Sequence, residues 1–333
     1  VNHNGSAELA LQLVDVAARC GADAVKFQTF RADKLVRRGA AKAAYQEAAT
    51  GAGDQHGMLQ ALEMPEALHR QLFDRCTALG IEFMSTPFDE EAADFLVALG
   101  MRRLKVPSGE ITNDPFLRHL VAKDMPLILS TGMASLGEIE QAVALIRGER
   151  ARLGFGRPLA EMLCILHCTS NYPASVDDVH LRAMQTIATA TGLPVGYSDH
   201  TLGVAVSTAA VALGARVIEK HFTLDTALAG PDHKASLSPE ELERLVSQIR
   251  VVERALGSAV KQPTASELPV RALVRRSVTT TRDLPQGAIL RAGDLCLLRP
   301  GTGIAPRDLG TVVGRSLRTA LASGSTLRQE DLA

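Results

Sequence analysis

The feature of this sequence that most constrains the fold is a repeated alternation of short apolar runs with helix-like stretches. Each run leads, at its C-terminal side, into polar residues suited to binding phosphate, carboxylate or metal. The seven runs are AVKFQ, IEFMST, RLKVPSGE, LILSTG, LCILHCTS, PVGYSDH and RVIEKHF. Strands that alternate with helices in this way form parallel sheets, and in a closed barrel their C-terminal ends surround one active site. We therefore predict an α/β fold of the (β/α)8 TIM-barrel type.

A barrel of this type has eight strands, whereas the sequence supplies seven runs. Val1 stands directly before NHNGSAELALQLVDVAARC, a segment that predicts a loop followed by an amphipathic helix. We therefore expect the first strand, together with any functional side chain at its end, to precede Val1.

The chain divides into three predicted parts. The strand and helix pattern runs through residues 1–257, and a chain of 333 residues accommodates a barrel of roughly 250 residues plus a small domain. Residues 258–274 carry two prolines and no amphipathic period, which predicts a linker. Residues 275–333 have β-branched runs and tight-turn signals and predict a small β-rich domain. Inside the barrel, the Ala- and Gly-rich residues 31–64 predict a long loop that acts as a lid.

Composition and charge exclude several classes of protein. The formal net charge of −1 gives no support for a nucleic-acid or membrane surface, and no apolar run is long enough to span a bilayer. The five cysteines are an odd number and contain no CxxC pair. Cys164 and Cys168 share one apolar run, and we interpret them as packed, reduced thiols of a cytoplasmic protein rather than as a metal site.

Two histidines follow consecutive predicted strands. His200 and His221 are separated by about one strand-and-helix unit, so the fold brings them side by side at the mouth of the barrel. Two neutral imidazoles with open coordination positions suit a catalytic divalent ion that also binds water or substrate. The alternative interpretation is a pair of buried, hydrogen-bonded histidines without a metal.

Lysines and hydroxyl groups also collect at the predicted mouth, at Lys26, Thr86, Lys105, Ser108, Ser130, Ser170 and Ser198. Buried lysines without partners are rare, so two lysines at one cavity predict a bound anion. The Pro-Ser-Gly turn after Lys105 offers backbone N–H groups and a hydroxyl to phosphate oxygens. A single serine or threonine of this kind is more often a strand-end cap, so the prediction depends on the whole set.

Three further charged residues each have two interpretations. Glu110 is the best-placed carboxylate for proton transfer, unless it forms a salt bridge to Lys105 or Lys26. Asp232, on the Gly-Pro turn of GPDHKASL, is suited to accept hydrogen bonds from sugar hydroxyls or is simply solvated. Arg299, in LRPGTGIAP, lies in the small C-terminal domain, where a lone arginine is usually a surface residue.

Taken together, these motifs resemble those of the sialic acid synthases, which condense phosphoenolpyruvate with an N-acylated amino sugar. The similar segments occur in the family's order and run nearly from end to end of the chain. They are VNHNG, VKFQTF, STPFD, KVPSGE, LSTGM, HCTSNYP, GYSDHTLG, EKHFTLD, GPDHKASL and RPGTGI. The C-terminal domain resembles the antifreeze-like SAF domain that is attached to these synthases.

The resemblance implies a role for each candidate residue. A divalent metal, Mn²⁺ or Mg²⁺, is implied on His200 and His221. Phosphoenolpyruvate is implied to be bound by Lys26, Thr86, Lys105, Ser108, Ser130, Ser170 and Ser198. The positions that match those facing the sugar in the family are Gln28, Tyr172 and Asp232. Arg299 matches an arginine that reaches from the SAF domain of one subunit into the barrel of its partner, which implies a domain-swapped homodimer.

Two features depart from the family pattern. The family's first strand ends in a glutamate directly before the NHNG motif, and this sequence lacks that residue. A chain that starts at Val1 is therefore expected to be impaired. Ser170 stands where some members of the family carry asparagine.

The sequence therefore predicts an enzyme that makes a nonulosonic acid from small-molecule substrates. The enol carbon of phosphoenolpyruvate attacks the aldehyde of the open-chain sugar, water adds, and phosphate leaves by C–O cleavage. The string GPDHKASL is similar to the N-acetylneuraminate and legionaminate branches, so N-acetylmannosamine and its 6-deoxy-diacetamido relative are both candidate acceptors. The alternative functions are a metal-dependent sugar-phosphate aldolase or isomerase, and a non-catalytic carbohydrate-binding protein.

Overall fold

The structure contains seven parallel strands, one at each of the seven apolar runs of the sequence. The structure is a computed structural model that describes residues 1–333. The strands are β1 Ala24–Thr29, β2 Glu82–Pro87, β3 Leu104–Val106, β4 Leu127–Ser130, β5 Leu163–Cys168, β6 Val195–Asp199 and β7 Ile218–Lys220. β1 pairs with β2, and β3 to β7 form a parallel sheet in sequential order. The prediction of a parallel α/β barrel is therefore confirmed.

Helices lie between the strands in the same unit, which extends from Val1 to Gly257. They are α1 Ala7–Arg19, α2 Ala32–Leu35, α3 Ala44–Thr50, α4 Gln55–Gln60, α5 Glu66–Leu79, α6 Glu90–Leu99, α7 Asp114–Val121, α8 Leu136–Arg152, α9 Leu159–Met162, α10 Ala183–Thr191, α11 Ala205–Ala212 and α12 Pro239–Leu256. Side-chain caps fix where several of them begin. Ser135 with Glu138, and Ser238 with Glu241, form capping boxes that satisfy the free N–H groups of α8 and α12. No helix is both long and apolar enough to cross a membrane.

The main core lies between the strands and the helices. Because side chains alternate across a strand, one set from each strand faces outward. Val106 and Leu129 belong to this set and are buried in one cluster with helix residues such as Leu72 and Phe116. Each fully buried side chain of this size contributes about 1.5–3 kcal/mol of hydrophobic stabilisation.

The opposite set of strand residues fills the inside of the barrel. Met84, Ile128 and Leu166 form a buried apolar layer, with Ala24 and Val217 packed against it. The next inward-facing positions toward the C-terminal ends carry the polar side chains Lys26, Thr86, Ser130 and Glu219, whereas β5 carries Cys168. The apolar layer is thus the floor of the candidate site.

β1 and β7 are not paired with each other. A cleft of about 370 Å³ follows the two strands, and its lining includes Val25, Met84, Val217 and Ile218. The first unit therefore has seven strands, and strand pairing is interrupted both between β1 and β7 and between β2 and β3.

The predicted lid, residues 31–64, contains regular structure. Instead of a continuous loop it holds the three short helices α2, α3 and α4. Asp54 explains part of this order, because its carboxylate accepts hydrogen bonds from the backbone N–H groups of Gly39 (2.7 Å) and Gly57 (2.8 Å). The same side chain therefore caps α4 and ties it to the preceding turn.

The second unit extends from Ser258 to Ala333. It contains α13 Glu267–Val274, the antiparallel strands β8 Ser277–Thr280 and β9 Leu295–Leu298, and α14 Leu309–Val312. It has its own apolar core, formed by Val278, Leu284, Leu290, Leu295, Ile304, Val312, Leu317, Leu327 and Leu332.

The interpretation of residues 258–274 as a stretch without helical character is wrong in its second half, where α13 lies. Pro269 obscured the helix in the sequence, but it stands in the first turn, where proline removes no helical hydrogen bond. Thr264 helps to start this helix, because its backbone N–H donates to the Glu267 carboxylate at 2.8 Å.

Candidate functional site

A layer of polar side chains lies directly above the apolar floor of the barrel. Five strands supply it with residues that face inward: β1, β2, β3, β4 and β6 contribute Lys26, Thr86, Lys105, Ser130 and Ser198. A sixth member, Glu219 of β7, is within ion-pair distance of both lysines. The structure therefore brings together residues that are up to 193 positions apart in the chain.

Glu219 is the electrostatic centre of this layer. One of its oxygens lies 3.9 Å from Lys26 Nζ and 3.7 Å from Lys105 Nζ, and the other accepts a 3.0 Å hydrogen bond from Ser198 Oγ. Burial alone raises the pKa of this carboxyl, but the nearby charges of Lys105 and Lys26 outweigh it and lower the pKa to about 2. Burial also lowers the pKa of Lys105, although Glu219 opposes that change. Two ammonium groups facing one carboxylate leave one positive charge for a ligand.

Hydroxyl groups surround the lysines. Lys105 Nζ donates to Ser130 Oγ at 2.6 Å, and Lys26 Nζ donates to Thr86 Oγ1 at 3.4 Å. Ser108, in the short turn after β3, accepts a 2.9 Å hydrogen bond from the backbone N–H of Gly132. These contacts form a compact cluster of cationic and hydroxyl groups, which is the donor set that a phosphate or carboxylate ligand requires.

The two predicted histidines lie next to each other at the mouth. The ring centroids of His200 and His221 are 5.4 Å apart. His200 donates from Nδ1 to the carbonyl oxygen of Thr169 at 2.7 Å, so the lone pair of its neutral ring is on Nε2. Burial lowers the pKa of His200, and it lowers the pKa of His221 well below the ordinary value. Both rings are therefore neutral at physiological pH.

A buried ion pair behind the strands holds the two histidines in place. Asp199 precedes His200, Lys220 precedes His221, and their side chains meet at 2.9 Å. The same carboxylate accepts hydrogen bonds from Ser207 Oγ (2.6 Å) and from the backbone and hydroxyl of Thr201 (both 2.8 Å). Asp199 is fully buried, so losing either charge costs about 3–5 kcal/mol. This network fixes the ends of β6 and β7 relative to each other.

Tyr172 covers the histidine pair. Its ring centroid lies 4.0 Å from that of His200 and 5.7 Å from that of His221. Tyr45, on α3 of the lid, packs against Tyr172 with the ring centroids 5.1 Å apart. A stack of aromatic rings thus connects the lid to the mouth of the barrel.

A cavity of about 310 Å³ opens at this point, which is within the usual range for small-molecule sites. Its inner side is formed by Gln28, Glu110, Tyr172, His221 and Asp232. Glu110 accepts a 2.6 Å hydrogen bond from Asn113 Nδ2 on one carboxylate oxygen. The alternative interpretation of Glu110, a salt bridge to Lys105 or Lys26, is not observed, and Glu219 is the carboxylate that lies beside both lysines.

Two hydrogen-bonded turns position Asp232. The following residue, His233, is buried and contacts Thr223 Oγ1 at 2.7 Å through one ring nitrogen and Asn4 Oδ1 at 3.1 Å through the other. The Asp232 carbonyl accepts a 2.6 Å hydrogen bond from Ser236 Oγ. The carboxylate itself lies 3.6 Å from His221 Nδ1, and burial raises its pKa.

The histidine pair fits a divalent ion on the chemistry of its donors. Two neutral imidazoles offer nitrogen lone pairs, and no group of three or more His, Cys, Asp or Glu side chains is arranged to hold a metal. A site with two protein ligands leaves coordination positions for water and substrate.

Sequence reasoning missed two residues of this site. Glu219 stands two positions before His221 on the same strand, so alternation across the strand places both on the inner face. That signal was present in IEKHF. Tyr45 had no comparable signal, because nothing in the lid sequence relates α3 to the strand ends. Arg299 lies in the second unit, where it is exposed after the end of β9.

Two family models match the chain. Residues 13–261 match the model of the NeuB family, and residues 275–333 match the model of the SAF domain. The first match covers most of the first unit, and the second covers the strand-containing part of the second unit.

Individual relatives match over almost the whole chain. The N,N'-diacetyllegionaminic acid synthase of Legionella pneumophila is 54% identical over 333 residues, which is 100% of this chain and 92% of the relative. The enzyme of that name from Campylobacter jejuni is 45% identical over 95% of this chain and 92% of its own length. Among solved structures, the N-acetylneuraminic acid synthetase of Leptospira borgpetersenii in complex with citrate is 33% identical, with a TM-score of 0.70 over 81% of this chain and 86% of that one.

The crowding at Gly132 generates a test of the cluster of cationic and hydroxyl groups. A Cβ atom at this position would lie 2.1 Å from Ser170 Oγ and 3.0 Å from Ser108 Oγ. We expect Gly132→Ala to displace both hydroxyls and to weaken binding of phosphoenolpyruvate, the anion expected from the sequence, by about ten-fold or more, the cost of losing a hydrogen bond to a charged ligand. Isothermal titration calorimetry measures the effect.

The matched control is Gly137→Ala, an exposed position on α8 where an added Cβ meets no atom within 4 Å. This variant is expected to bind phosphoenolpyruvate as the wild type does. Equal affinities for the two variants would contradict the location of the anion site.

Proposed function

The chain belongs to the NeuB family, and from this premise we propose that its acceptor is a 6-deoxy-diacetamido hexose, which it condenses with phosphoenolpyruvate. The reaction of the family is the condensation of phosphoenolpyruvate and water with an N-acyl amino sugar, which gives a nonulosonic acid and phosphate. The observation that supports the condensation is the cluster of two lysines and several hydroxyls, which lies within electrostatic range of the two neutral imidazoles.

The choice of acceptor follows from atom balance. The relatives at 54% and 45% identity are named for a product with two N-acetyl groups. Phosphoenolpyruvate contains no nitrogen, so both acylated nitrogens of such a product come from the acceptor. N-acetylmannosamine supplies only one, which favours the diacetamido sugar for this chain.

The cationic cluster is proposed to bind phosphoenolpyruvate. Lys26 and Lys105 face its carboxylate and phosphate, and hydrogen bonds come from the proposed hydroxyl donors Thr86, Ser108, Ser130, Ser170 and Ser198. Glu219 keeps both ammonium groups oriented in the absence of substrate. The single uncompensated positive charge is attractive to this anion without trapping the phosphate product.

The cavity beside the histidines is proposed to hold the acceptor. Gln28, Tyr172 and Asp232 bind the sugar chain and direct its aldehyde carbon toward C3 of phosphoenolpyruvate. When these carbons bond, the aldehyde oxygen takes a proton and water adds to C2. Phosphate then leaves as the C2–O bond breaks. Glu110 has one carboxylate oxygen free of Asn113 and is the proposed group for proton transfer.

A divalent ion, Mn²⁺ or Mg²⁺, is proposed to bind at His200 and His221. When bound, it polarises the aldehyde oxygen of the acceptor. The hydrogen bond from His200 Nδ1 to Thr169 leaves Nε2 free for this purpose. The five free cysteines are consistent with a reducing compartment, which supports the proposed cytoplasmic location.

The second unit is proposed to complete the site of a partner subunit through Arg299. A domain-swapped homodimer is supported by the exposed apolar side chains of α13, which include Leu268, Val270 and Leu273. Apolar residues that are concentrated on one short helix and left exposed are typical of a contact surface. A guanidinium group suits a carboxylate or phosphate ligand, because its paired N–H groups match two oxygens.

The acceptor is tested by phosphate release from phosphoenolpyruvate with each of the two sugars. The full-length enzyme is expected to use the diacetamido sugar with a kcat/KM about ten-fold or more above that for N-acetylmannosamine, since two substituents differ. Omitting phosphoenolpyruvate should abolish consumption of the sugar, in contrast to an aldolase or isomerase. Preference for N-acetylmannosamine would contradict the proposed acceptor.

The metal is tested by removing it. Treatment with a chelator should abolish phosphate release, and Mn²⁺ or Mg²⁺ should restore it in the wild type but not in His221→Ala, which lacks one of the two imidazoles. The control His119→Ala removes a histidine on α7 that pairs with Asp94 (2.7 Å) and should respond to metal as the wild type does. Full activity of the enzyme after chelator treatment would contradict the proposed requirement for a divalent metal.

The swapped arginine is tested by complementation between two inactive variants. Arg299→Ala and Lys105→Met are each expected to turn over poorly. Mixed subunits should recover about a quarter of the wild-type rate, because half of the random pairs are heterodimers and each of those has one complete site of two. No recovery in verified heterodimers would mean that Arg299 does not act across subunits.

A further inference from the structure

The outer wall of the acceptor cavity differs in chemistry from its inner side. The charged side chains that line the cavity, Glu110 and Asp232, lie with His221 on the inner side. The rest of the lining, the outer wall, is made mainly of apolar side chains from the lid and the segments beside it: Phe30, Leu35, Val36, Met58, Leu59, Leu62 and Phe88. The cavity is therefore polar beside His221 and mainly apolar beside the lid.

The few polar groups of the outer wall are uncharged. They are Tyr45, Gln46 and Gln55. Gln46 uses its side-chain oxygen to accept from the Ala43 backbone N–H at 3.0 Å, which leaves its NH₂ group as a donor. An apolar surface with amide groups beside it matches an acetamido substituent, which combines a methyl group with an amide. It is a poor match for a row of free hydroxyls, each of which needs a partner when buried.

The lid is built to hold this wall in position. His56 is buried and its Nε2 contacts the Asp33 carboxylate at 2.8 Å, which joins α4 to α2. The Glu63 carboxylate accepts a 2.6 Å hydrogen bond from the backbone N–H of Ala32, so the two ends of the lid are tied together. The wall residues of α4, Met58 and Leu59, therefore occupy defined positions in the cavity.

The lid is also in direct contact with the reacting end. Tyr45 of α3 packs against Tyr172, which covers both histidines. Burial raises the pKa of Tyr45 to about 12, so its hydroxyl is neutral and adds no charge to the wall. An acceptor with its aldehyde beside His221 therefore extends toward α4 within the same cavity.

We infer that Met58 and Leu59 determine acceptor specificity, by selecting sugars whose end distal to the aldehyde is deoxygenated and N-acylated over sugars that carry hydroxyls there. This inference rests on the proposed function. A methyl group at the terminal carbon gains contact with the thioether and isobutyl side chains. A hydroxyl at the same place loses water without gaining a partner.

The test compares kcat/KM for the 6-deoxy-diacetamido sugar and for N-acetylmannosamine in the full-length enzyme. The variants are Met58→Gln and Leu59→Asn, which keep the approximate size of each side chain and add an amide. Each is expected to lower the preference for the 6-deoxy-diacetamido sugar by about ten-fold or more, the usual range for a changed contact in a hydrophobic pocket. The KM for phosphoenolpyruvate should not change.

Leu213→Asn is the matched control, because Leu213 is exposed after α11, at the end of the barrel opposite to the mouth. It should leave the preference between the two sugars unchanged. A parallel loss of activity toward both sugars in Met58→Gln and Leu59→Asn would mean that the two residues have only a structural role, and would overturn the inference. An unchanged preference in both variants would overturn it as well.

The same experiment separates this inference from the proposed function. A wild-type enzyme that uses both sugars with equal efficiency would overturn the selective wall and leave the condensation intact. A wild-type enzyme that releases phosphate with neither sugar would overturn the proposed function and the inference with it.

Discussion

The candidate site depends on one interaction, the contact of the Glu219 carboxylate with the ammonium groups of Lys26 and Lys105. Two lysines in the interior of a barrel are costly to bury, and at close range they repel each other. Glu219 offsets both effects at 3.9 and 3.7 Å. It does not neutralise the pair, so the cluster keeps one positive charge. The two lysines are thereby stabilised inside the barrel while their positive charge is only partly compensated. The remaining charge is available to bind an anionic substrate.

The position of Glu219 in turn depends on the alternation of side chains along β7. Glu219 and His221 face the inside of the barrel, while Lys220, between them, turns to the other face and pairs with Asp199. Asp199 precedes His200 in the same way. The ends of β6 and β7 therefore supply two sets of contacts. The Asp199–Lys220 ion pair lies behind the strands, and the cluster around Glu219 lies inside the barrel. A slip of either strand by one residue would exchange the two sets of side chains.

The sequence predicts the parts of the site that are set by strand periodicity, and little else. His200 and His221 were identified because both follow strands, and the parallel barrel brings such residues together. Lys105 and Ser130 were identified in the same way, and their 2.6 Å contact follows from the pairing of β3 with β4. The same periodicity places Glu219, two positions before His221, on the inner face of β7.

Local sequence patterns do not predict the structure of the lid. Its helices are short, and they are held by individual side chains such as Asp54 and His56 rather than by an amphipathic repeat. Tyr45 meets Tyr172 across 127 positions of sequence, and no periodicity connects the two. Helix α13 is not predicted by the sequence pattern for a related reason: Pro269, in its first turn, is a residue type that is common in linkers.

The residues proposed to carry out the chemistry and those proposed to select the acceptor lie in different parts of the structure. The groups proposed to carry out the chemistry lie on strand ends, where a substitution alters the packing of a barrel that every other residue shares. Met58 and Leu59 of the outer wall belong to the lid, which holds its shape through local hydrogen bonds. A change of side chain at Met58 or Leu59 therefore alters what the cavity accepts at little cost to the strands below it. Selection among acceptors and activation of phosphoenolpyruvate are thus physically separable in this fold, because they depend on different contacts.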